Sequence, residues 1–434
     1  MAHNSLDELL SPAQATTVEW LLARVASTPA PPLRYEELVS PSWRSQGMAR
    51  IAIEMAISTA GPCSVLSTQR GPAGHLRCTL EDARRRNWEL TVSFESDTSG
   101  RIARIGTRPM LAEGMQVRRP TPDDLPAMAE LELAAPVQRD DGTKVIIDHN
   151  GKQFEHESVL RDHRWLAVFH EGRMLAVQAV ALVEGPVNGR PYRFAYNHYS
   201  RSDPRTRNAG NLMYLVSTLY QDIFPVIDQF ASIVDVKNSA GLRLSFGTPW
   251  PTRVRRLFLP IHVLAAREQM PPTRRPFDTA HAAHLLNQTH AGMTFWVPRT
   301  PEFLARRISR APAVYAGDCW RLTEHAALAL WPSGERRTYQ VSGAETRRTL
   351  ALALDYGFAG ETGQAELTGL LSEAARELAG QAISHIALFV SDGHPATQWL
   401  VDLAEASDVY AICAPRLDDP PAPAGPIYTD HILF

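Results

Sequence analysis

Apolar residues in the first hundred positions change from a helical to a strand-like spacing. Ser11 followed by Pro12 is a typical helix start, and the apolar residues after it recur every three or four positions. A second helical stretch follows. Apolar and polar residues then alternate in four segments, with hairpin turns predicted at 71–74 and 97–100. The pattern predicts a cone-like α+β domain in residues 1–111, built from helices and an antiparallel meander with one buried face.

Residues 115–265 predict a different order of elements, β-α-β-β-β-α-β-α-β. A short strand at 116–120 precedes a capped helix that ends near residue 133. Further strands are predicted at 145–149 and 152–155 (a hairpin across Asn150-Gly151), 165–170, 174–182, from Tyr192 onward, 231–236 and 254–263. This block therefore reads as a second domain.

Residues 274–434 repeat that order more weakly, after a linker at 268–275 that contains two adjacent prolines. The predicted helices are 278–290, 365–380 and 395–406, and the predicted strands are 320–323, 326–331, 350–355, 384–390 and 425–434. The fold class is thus mixed α+β and α/β, with three domains at 1–111, 115–265 and 274–434.

The segment 192–224 carries the clearest chemical signal. A strand runs into a loop with Pro204, Arg207 and Gly210, and an amphipathic helix follows. Such a loop directs several backbone N–H groups at one point, where the helix dipole also favours an anion. The chain has no G-x-x-x-x-G-K-[ST] sequence, so the loop predicts a diphosphate site without a Walker-type lysine.

The spacing of this loop resembles the GNAT superfamily of acyl-CoA transferases, whose fourth strand runs into Pro-x-x-Arg-x-x-Gly-x-Gly/Ala and a helix. The stretch VRRPTPDDL, from Val117, is also similar to the start of a GNAT domain. Leu212 departs from the pattern, because the family has Gly or Ala there. The resemblance implies central strands that splay apart and admit acetyl-CoA or another acyl-CoA as substrate, without a metal.

The resemblance also implies which residues contact the cofactor. Backbone groups at the end of the Tyr192 strand would pair with the pantetheine amides, and the N–H groups of the loop would hold the pyrophosphate with help from an arginine. The predicted contacts are Arg201, Ser202, Asp203, Arg205, Arg207, Asn208, Ala209, Gly210, Asn211, Leu212 and Asn238. The alternative is a surface loop with incidental arginines.

Acyl transfer to an amine needs a base, and often an acid for the departing thiolate. The candidates are His198, Asp235, Tyr196 and Tyr199. His198 has the most suitable ordinary pKa; the alternative is a histidine that hydrogen-bonds a carbonyl. Asp235 is alternatively a partner for a nearby Arg or Lys. In the family, a tyrosine seven residues after an asparagine such as Asn238 often acts as the general acid. This chain has Ser245 at that position.

The outer blocks carry weaker resemblances. The final hairpin of the first block resembles the nuclear-transport-factor-like (steroid-isomerase-like) fold, which implies either an apolar pocket or an inert dimerisation module. The third block reads as a divergent second GNAT domain. Its loop at 360–363 has no arginine at the family spacing, so we expect it not to bind CoA.

Composition narrows the class of protein. Forty-four basic residues against 47 acidic ones give no basic surface for nucleic acid. Four scattered cysteines, the absence of a signal-peptide pattern and the absence of an apolar run of about 18 residues predict a cytoplasmic protein without a membrane span. A homodimer stays open. His281 and His284 lack a third metal ligand, and Asp140-Asp141 is either a polar turn or an attractor for a cationic amine.

The function predicted from sequence is acyl transfer from an acyl-CoA to a small-molecule amine or hydroxyl, in the setting of specialised metabolism. Two alternatives remain: a GNAT-derived enzyme that hydrolyses or decarboxylates a thioester or small metabolite, and a non-catalytic binding or scaffold protein.

Overall fold

The N-terminal region packs four helices against a four-stranded antiparallel sheet in the computed structural model of this chain. The structure describes residues 6–29, 35–59, 61–71, 75–155, 162–245, 247–268, 271–392, 394–415, 423 and 425–427. The N-terminal elements are α1 (Leu6–Leu9), α2 (Pro12–Val25), α3 (Tyr35–Leu38), α4 (Gln46–Thr59), β1 (Cys63–Arg70), β2 (Leu76–Asp82), β3 (Asn87–Phe94) and β4 (Ile102–Pro109).

Local sequence accounts for this region. The Ser11 side chain accepts a hydrogen bond from the backbone N–H of Gln14 and caps α2, as the Ser-Pro signal predicts. The strands form the meander β1-β2-β3-β4, which confirms the predicted helix-then-meander order, although residues 72–74 of the first turn lie outside the described residues. Leu90 and Val92 lie two residues apart on β3, and both are buried in the same hydrophobic core. The resemblance of this region to the steroid-isomerase-like fold stays a prediction.

The rest of the described chain forms one mixed sheet of thirteen strands with helices around it. The strands are β5 (Gln116–Arg118), β6 (Val137–Gln138), β7 (Lys144–Asp148), β8 (His163–His170), β9 (Arg173–Val187), β10 (Arg190–Ser202), β11 (Gln229–Asp235), β12 (Thr248–Pro260), β13 (Trp320–Leu322), β14 (Ala326–Val341), β15 (Ala344–Phe358), β16 (His385–Ser391) and β17 (Ala406–Ala414). The helices are α5 (Leu125–Ala134), α6 (Asn211–Ile223), α7 (Ser239–Leu244), α8 (Ile261–Ala265), α9 (Thr279–Thr289), α10 (Pro301–Arg310), α11 (Pro312–Tyr315), α12 (Gly360–Leu378) and α13 (Gln398–Leu403).

The order of strands in this sheet is β5-β8-β9-β10-β11-β17-β12-β16-β15-β14-β7-β6, with β13 paired to β14. The strand β17 lies between β11 and β12, while β12 lies between β17 and β16. Thus β17, from the block predicted at 274–434, pairs with two strands of the block predicted at 115–265. In turn β12, from the block at 115–265, pairs with two strands of the block at 274–434. The mixed α and β architecture agrees with the predicted class, and the three domain boundaries stay predictions.

One local prediction is wrong, and one predicted helix is too long. The hairpin across Asn150-Gly151 does not form, because β7 pairs with β14 and β6 instead. Both turn residues do have positive φ, 55° and 73°, but the chain becomes helical at 153–155 after the turn. The helix predicted at 395–406 ends at Leu403, and β17 begins three residues later. The closing strand predicted at 425–434 lies mostly outside the described residues.

The N-terminal region packs directly on α6 of the large sheet. Their side chains share one hydrophobic cluster, in which Val216, Leu219 and Ile223 of α6 join the core of α2, α4 and the meander. Arg104 of β4 forms an exposed ion pair with Asp222 of α6 at 2.8 Å. The helix that follows the predicted diphosphate loop therefore has its outer face covered by the first region of the chain.

Candidate functional site

The strands β10 and β11 are parallel neighbours for only a short distance. Their pairing runs from Phe194 opposite Gln229 to Asn197 opposite Ser232. Beyond that point β11 pairs with β17 on its other side, while β10 continues to Ser202 alongside β9. The edge of β10 that faced β11 thus has no strand beside it, within the described residues. We call the gap between the two diverging strands the first wedge.

The first wedge ends at the start of a helix. After β10 the chain forms a 3₁₀ turn at Pro204–Ala209, and Gly210 adopts φ 76° before α6 begins at Asn211. A side chain at position 210 would be strained by this φ, and its Cβ would lie 2.9 Å from Cγ of Pro109. Among the side chains that the structure describes, none caps α6, and the first N–H groups of a helix favour an anion.

The predicted arginines of this loop are placed unequally. Arg205 is exposed, but its guanidinium contacts the buried carboxylate of Asp203, with Nε 3.2 Å from Oδ1. Asp203 also binds Arg173 and accepts the backbone N–H of Arg205. This carboxylate offsets the charge that Arg205 would offer a diphosphate. The side chains of residues 207–209 lie outside the described part of the structure.

Two other predicted contacts have structural roles. Leu212, the departure from the family motif, packs against the cluster shared by α6 and the N-terminal region. Asn238 caps α7, because its Oδ1 accepts the backbone N–H of Gly241 at 2.8 Å. Arg201 and Ser202 remain in the ladder with β9, opposite Val177 and Ala176, so their other edge faces the first wedge.

The end of β10 is bent. Its register against β9 shifts between His198 and Arg201, and Tyr199 within this bulge has φ 50°. The buried amide of Gln178 on β9 crosses the bulge, where its Nε2 donates to the carbonyl of His198 at 3.1 Å and to Asn197. Asn197 in turn donates to Ser232 Oγ at 3.3 Å. A polar side-chain network therefore borders the point where the strands part.

His198 is a weak base in this arrangement. Trp165 Nε1 donates to His163 Nδ1 at 3.0 Å, which places the proton of His163 on Nε2. That proton is donated to His198 Nε2 across 2.8 Å, and the two rings stack 4.8 Å apart. Burial, and then the charge of His149, lowers the pKa of His198 to about 3. The ring is neutral at pH 7 and its lone pair is occupied.

Tyr199 lies over an aromatic and ionic cluster. Its ring packs 4.8 Å from that of Trp165, and its hydroxyl donates to the carboxylate of Glu132 on α5. Glu132 Oε1 is also 2.6 Å from His149 Nδ1 and accepts the side-chain amide of Gln153 at 3.1 Å. Burial and the carboxylate raise the pKa of Tyr199 well above its usual value, so the phenol stays protonated.

Glu132 and His149 form a buried ion pair. Burial alone would raise the pKa of Glu132, but the charge and hydrogen bond of His149 outweigh it and the pKa falls to about 2. For His149, burial opposes the charge, yet the carboxylate and hydrogen bond of Glu132 raise its pKa above the usual range. Both shifts favour the ionised form of the group, and only 1% and 3% of the two side chains are exposed.

Asp235 belongs to a second buried network at the far side of the first wedge. Its Oδ2 accepts Arg139 Nε at 2.8 Å, and Arg139 also binds Asp408 of β17 at 2.6 Å. Arg337 lies 3.4 Å from Asp408 and 2.8 Å from Glu335, which in turn pairs with Arg256 at 3.0 Å. Asp235 thus has the alternative role, as partner of an arginine, which weakens the case for it as a base.

Tyr196 packs in the main hydrophobic core, with its ring 6.2 Å from that of Phe295. The four predicted catalytic side chains therefore do not converge on one point: His198 and Tyr199 are neighbours, whereas Tyr196 and Asp235 lie in other environments. Ser245, at the family's acid position, is buried and donates to the carbonyl of Leu242 at 2.7 Å.

Sequence reasoning missed Glu132, His149 and the arginine network. A signal existed for Glu132, because it stands in a predicted helix beside buried Met128 and Leu131. A carboxylate on an apolar helix face has to find a partner. No local signal marked Arg139, Arg337 or Asp408, because each is defined by a partner distant in the chain.

The strands β15 and β16 diverge in a similar way. They pair in parallel from Leu350 opposite His385 to Leu352 opposite Ala387, and both continue beyond. We call this gap the second wedge. The helix α12 follows β15 without a side-chain cap, and Gly360 has φ 61°.

The second wedge is occupied by the protein itself. The hydroxyl of Tyr356 donates across it to the carbonyl of Phe389 at 2.9 Å. Asp355 binds Arg299 at 2.9 Å and accepts the Tyr315 hydroxyl at 2.5 Å. The backbone of α9 approaches so closely that a Cβ at Gly357 would lie 2.6 Å from the backbone of Leu285.

Other predicted features have bland surroundings. Asp141 pairs with Lys237 at 3.1 Å, and Asp140 accepts the N–H of Ser239, so the pair forms a polar turn tied to the start of α7. His281 Nε2 is 3.0 Å from the carbonyl of Thr323. Within the described ranges, no helix has the length and apolar character to cross a bilayer, and no group of three or more His, Cys, Asp or Glu side chains is arranged for a metal.

No family model and no curated protein matches this chain. Solved structures similar to it include Saccharomyces cerevisiae N-myristoyltransferase with bound myristoyl-CoA, at 10% identity over 70% of this chain and 83% of that chain, with a TM-score of 0.46. Another is a GCN5-related N-acetyltransferase from Sphaerobacter thermophilus, at 14% identity over 70% and 96%, with a TM-score of 0.41. A third is a probable N-acyltransferase from Enterococcus faecalis, at 12% identity over 69% and 72%, with a TM-score of 0.38. Two of these are named as acyltransferases and the third as a protein of unknown function and probable N-acyltransferase, and similarity this distant assigns no function to the present chain.

Proposed function

We propose that this protein binds an acyl-CoA in the first wedge and transfers the acyl group to a small-molecule amine or hydroxyl. The observation that carries the proposal is the early end of the β10–β11 ladder at Asn197 and Ser232, after which β10 continues alone and leads through a 3₁₀ turn into the start of α6. The free edge of β10 offers backbone groups to an extended molecule that contains amides. The helix start offers N–H groups to its diphosphate.

The two ends of the first wedge suit the two ends of the cofactor. The pantetheine arm of CoA carries amides that require backbone partners, and the end of β10 keeps one edge unpaired. The diphosphate requires positive potential, which the uncapped start of α6 supplies. Arg207 stands at the spacing where the family motif has its arginine, and its guanidinium would add a charge-assisted contact.

A second function is favoured by the state of the candidate catalytic groups. His198 accepts a hydrogen bond at its basic nitrogen, Tyr199 donates to Glu132, and Asp235 is held by Arg139. Because these groups already have hydrogen-bond partners, their arrangement is also compatible with a protein that binds CoA without transferase activity. It is compatible as well with an enzyme that carries out non-transfer chemistry on the thioester. These alternatives predict the same cofactor in the same place.

A calorimetric titration with acetyl-CoA, paired with a thiol-release assay, tests the proposal. We expect micromolar or tighter binding at one site per chain, and thiol release that depends on an added panel of amines and alcohols. Release without any acceptor would indicate hydrolysis, and binding without release would indicate a binding protein. The absence of acetyl-CoA binding would refute the proposal.

A further inference from the structure

Tyr199 has a positive φ of 50° although it lies within the strand β10. Seven described residues other than glycine have positive φ. Six of them lie in turns, bends or just after a helix, where such φ values are ordinary: Ser27, Arg85, Asn150, Glu171, Asn188 and Ser342. Tyr199 alone lies within a strand, where a positive φ strains a bulky side chain. Contacts elsewhere must hold it in place.

The Arg201 guanidinium of the same strand lies 5.6 Å from the centre of the Tyr199 ring, and other contacts of Tyr199 come from other elements. Its hydroxyl donates to Glu132 on α5, and Glu132 is fixed by His149 at the end of β7 and by Gln153. The rings of Trp165 and His149 lie 4.8 and 5.1 Å from the tyrosine ring. Glu132 is therefore the one described carboxylate that ties the bent residue to two other elements of the fold.

The position of the bend gives these contacts a functional meaning. The last paired residue of β10 in the β11 ladder is Asn197, two residues before Tyr199. The bulge between His198 and Arg201 turns the free strand edge that borders the first wedge. If the φ of Tyr199 relaxed to an ordinary strand value, the N–H and C=O groups after it would point in different directions. Successive residues of a strand alternate in orientation, so a local change alters which groups face the wedge.

We propose that Glu132 is a positioning residue: through the Tyr199 hydroxyl it holds the bent end of β10 and so aligns the free strand edge with the amides of a bound acyl-CoA. The proposal rests on the proposed function for the identity of the ligand. It adds that binding at the first wedge depends on an acceptor oxygen at position 132, which is buried and acts through Tyr199.

Calorimetric titration of acetyl-CoA into four variants tests this coupling. Tyr199→Phe removes only the hydroxyl, whereas Glu132→Met removes its acceptor together with the partner of His149 and Gln153. We expect each to weaken binding by about tenfold, equivalent to about 1.4 kcal/mol, and the double variant to be no weaker than the poorer single. Glu132→Gln keeps an acceptor oxygen and should restore most of the affinity. Acyl-CoA KM should rise more than kcat falls.

Tyr220→Phe is the matched control, because the buried Tyr220 hydroxyl has no partner among the described residues. It should leave acetyl-CoA affinity unchanged. Affinities equal to wild type in both Tyr199→Phe and Glu132→Met would overturn the proposal, as would losses that multiply in the double variant. If Glu132→Met fails to fold because it removes the carboxylate beside the buried His149, Tyr199→Phe and Glu132→Gln decide alone.

Hydrogen exchange separates this inference from the proposed function. If wild-type protein binds no acetyl-CoA, the proposed function is wrong, but the role of Glu132 can still be measured. Backbone amides at 198–203 should then exchange faster in Tyr199→Phe than in wild type, because the bend has lost its anchor. Equal exchange in the two proteins would refute the positioning role whatever the ligand.

Discussion

The two wedges share a geometry and differ in what fills them. In both, a parallel ladder ends after a few residues and a helix begins beyond a glycine with positive φ, Gly210 or Gly360. The first is bordered by polar side chains around Asn197 and Gln178. The second is bridged by Tyr356 and packed by α9 and an arginine cluster. Strand divergence therefore opens a gap in both places, and side chains decide whether a ligand has room.

The difference extends to the helix starts. The first residues of α12 include Glu361, and the turn at Glu324-His325 packs on that helix, where His325 N donates to Glu366 at 2.9 Å. The first turn of α6 has no acidic residue. Of these two helix starts, only that of α6 therefore favours an anion. We therefore expect one CoA per chain.

Loss of Asp355 should have the largest effect on stability and none on cofactor binding. Its carboxylate is 1% exposed and neutralises Arg299, with Arg307 3.6 Å away. Asp355→Ala removes the carboxylate that offsets the charge of these buried arginines, which costs about 3–5 kcal/mol. Urea unfolding measures this. Asp392→Ala is the control, because its pair with Arg255 is one-third exposed and should contribute about 1 kcal/mol or less. Equal losses in the two variants would show that the second wedge is not held by this cluster.

Loss of Arg207 should have the opposite profile. Arg207→Ala should weaken acetyl-CoA binding by about 1.5–3 kcal/mol, the range for a charge-assisted hydrogen bond, and leave the unfolding free energy nearly unchanged. Calorimetry measures the affinity. Arg205→Ala is the matched comparison and should cost less, because the Arg205 guanidinium already contacts Asp203. An unchanged affinity in Arg207→Ala would remove the loop from the proposed site.

Acid should affect the first wedge through Glu132. Its pKa is lowered from 4.5 to about 2, so its contribution to stability is present above about pH 4.5 and is lost as the pH falls toward 2. His149 has a raised pKa, so its contribution is present below 6.5 and is lost as the pH rises through its folded value. The pair thus stabilises most between these limits, by on the order of 2 kcal/mol.

Denaturant unfolding at a series of pH values checks this against Glu132→Gln. The variant should lose less stability than wild type between pH 4.5 and pH 2. Arginines keep their charge across this range, so Arg299→Lys should leave the shape of the pH profile unchanged. Parallel profiles for wild type and Glu132→Gln would contradict the assigned ion pair.

Truncation of Leu212 should have the smallest effect. The side chain packs against the cluster shared by α6 and the N-terminal region, so Leu212→Ala should cost about 1 kcal/mol of stability, the amount for partial loss of apolar burial. Acetyl-CoA affinity should not change. A gain in affinity would show instead that the leucine narrows the first wedge, as its departure from the family motif suggests.

The sequence by itself determined the local elements and the loop. Apolar spacing and capping residues placed α2, the meander, the β10–α6 unit and α12, because hydrophobic periodicity and capping act between residues close in the chain. The same reasoning failed at 406–414, where residues buried on both faces of a central strand show no alternation.

Only the tertiary structure decided the exchange of β12 and β17, the partners of Tyr199 and Asp235, and the filling of the second wedge. Each depends on residues far apart in the chain, such as Arg139 with Asp408 or Tyr356 with Phe389. Buried polar groups must find partners wherever the fold brings them. The sequence therefore indicates which polar groups need a partner if they are buried, whereas the identity of the partner depends on the packing of the folded sheet.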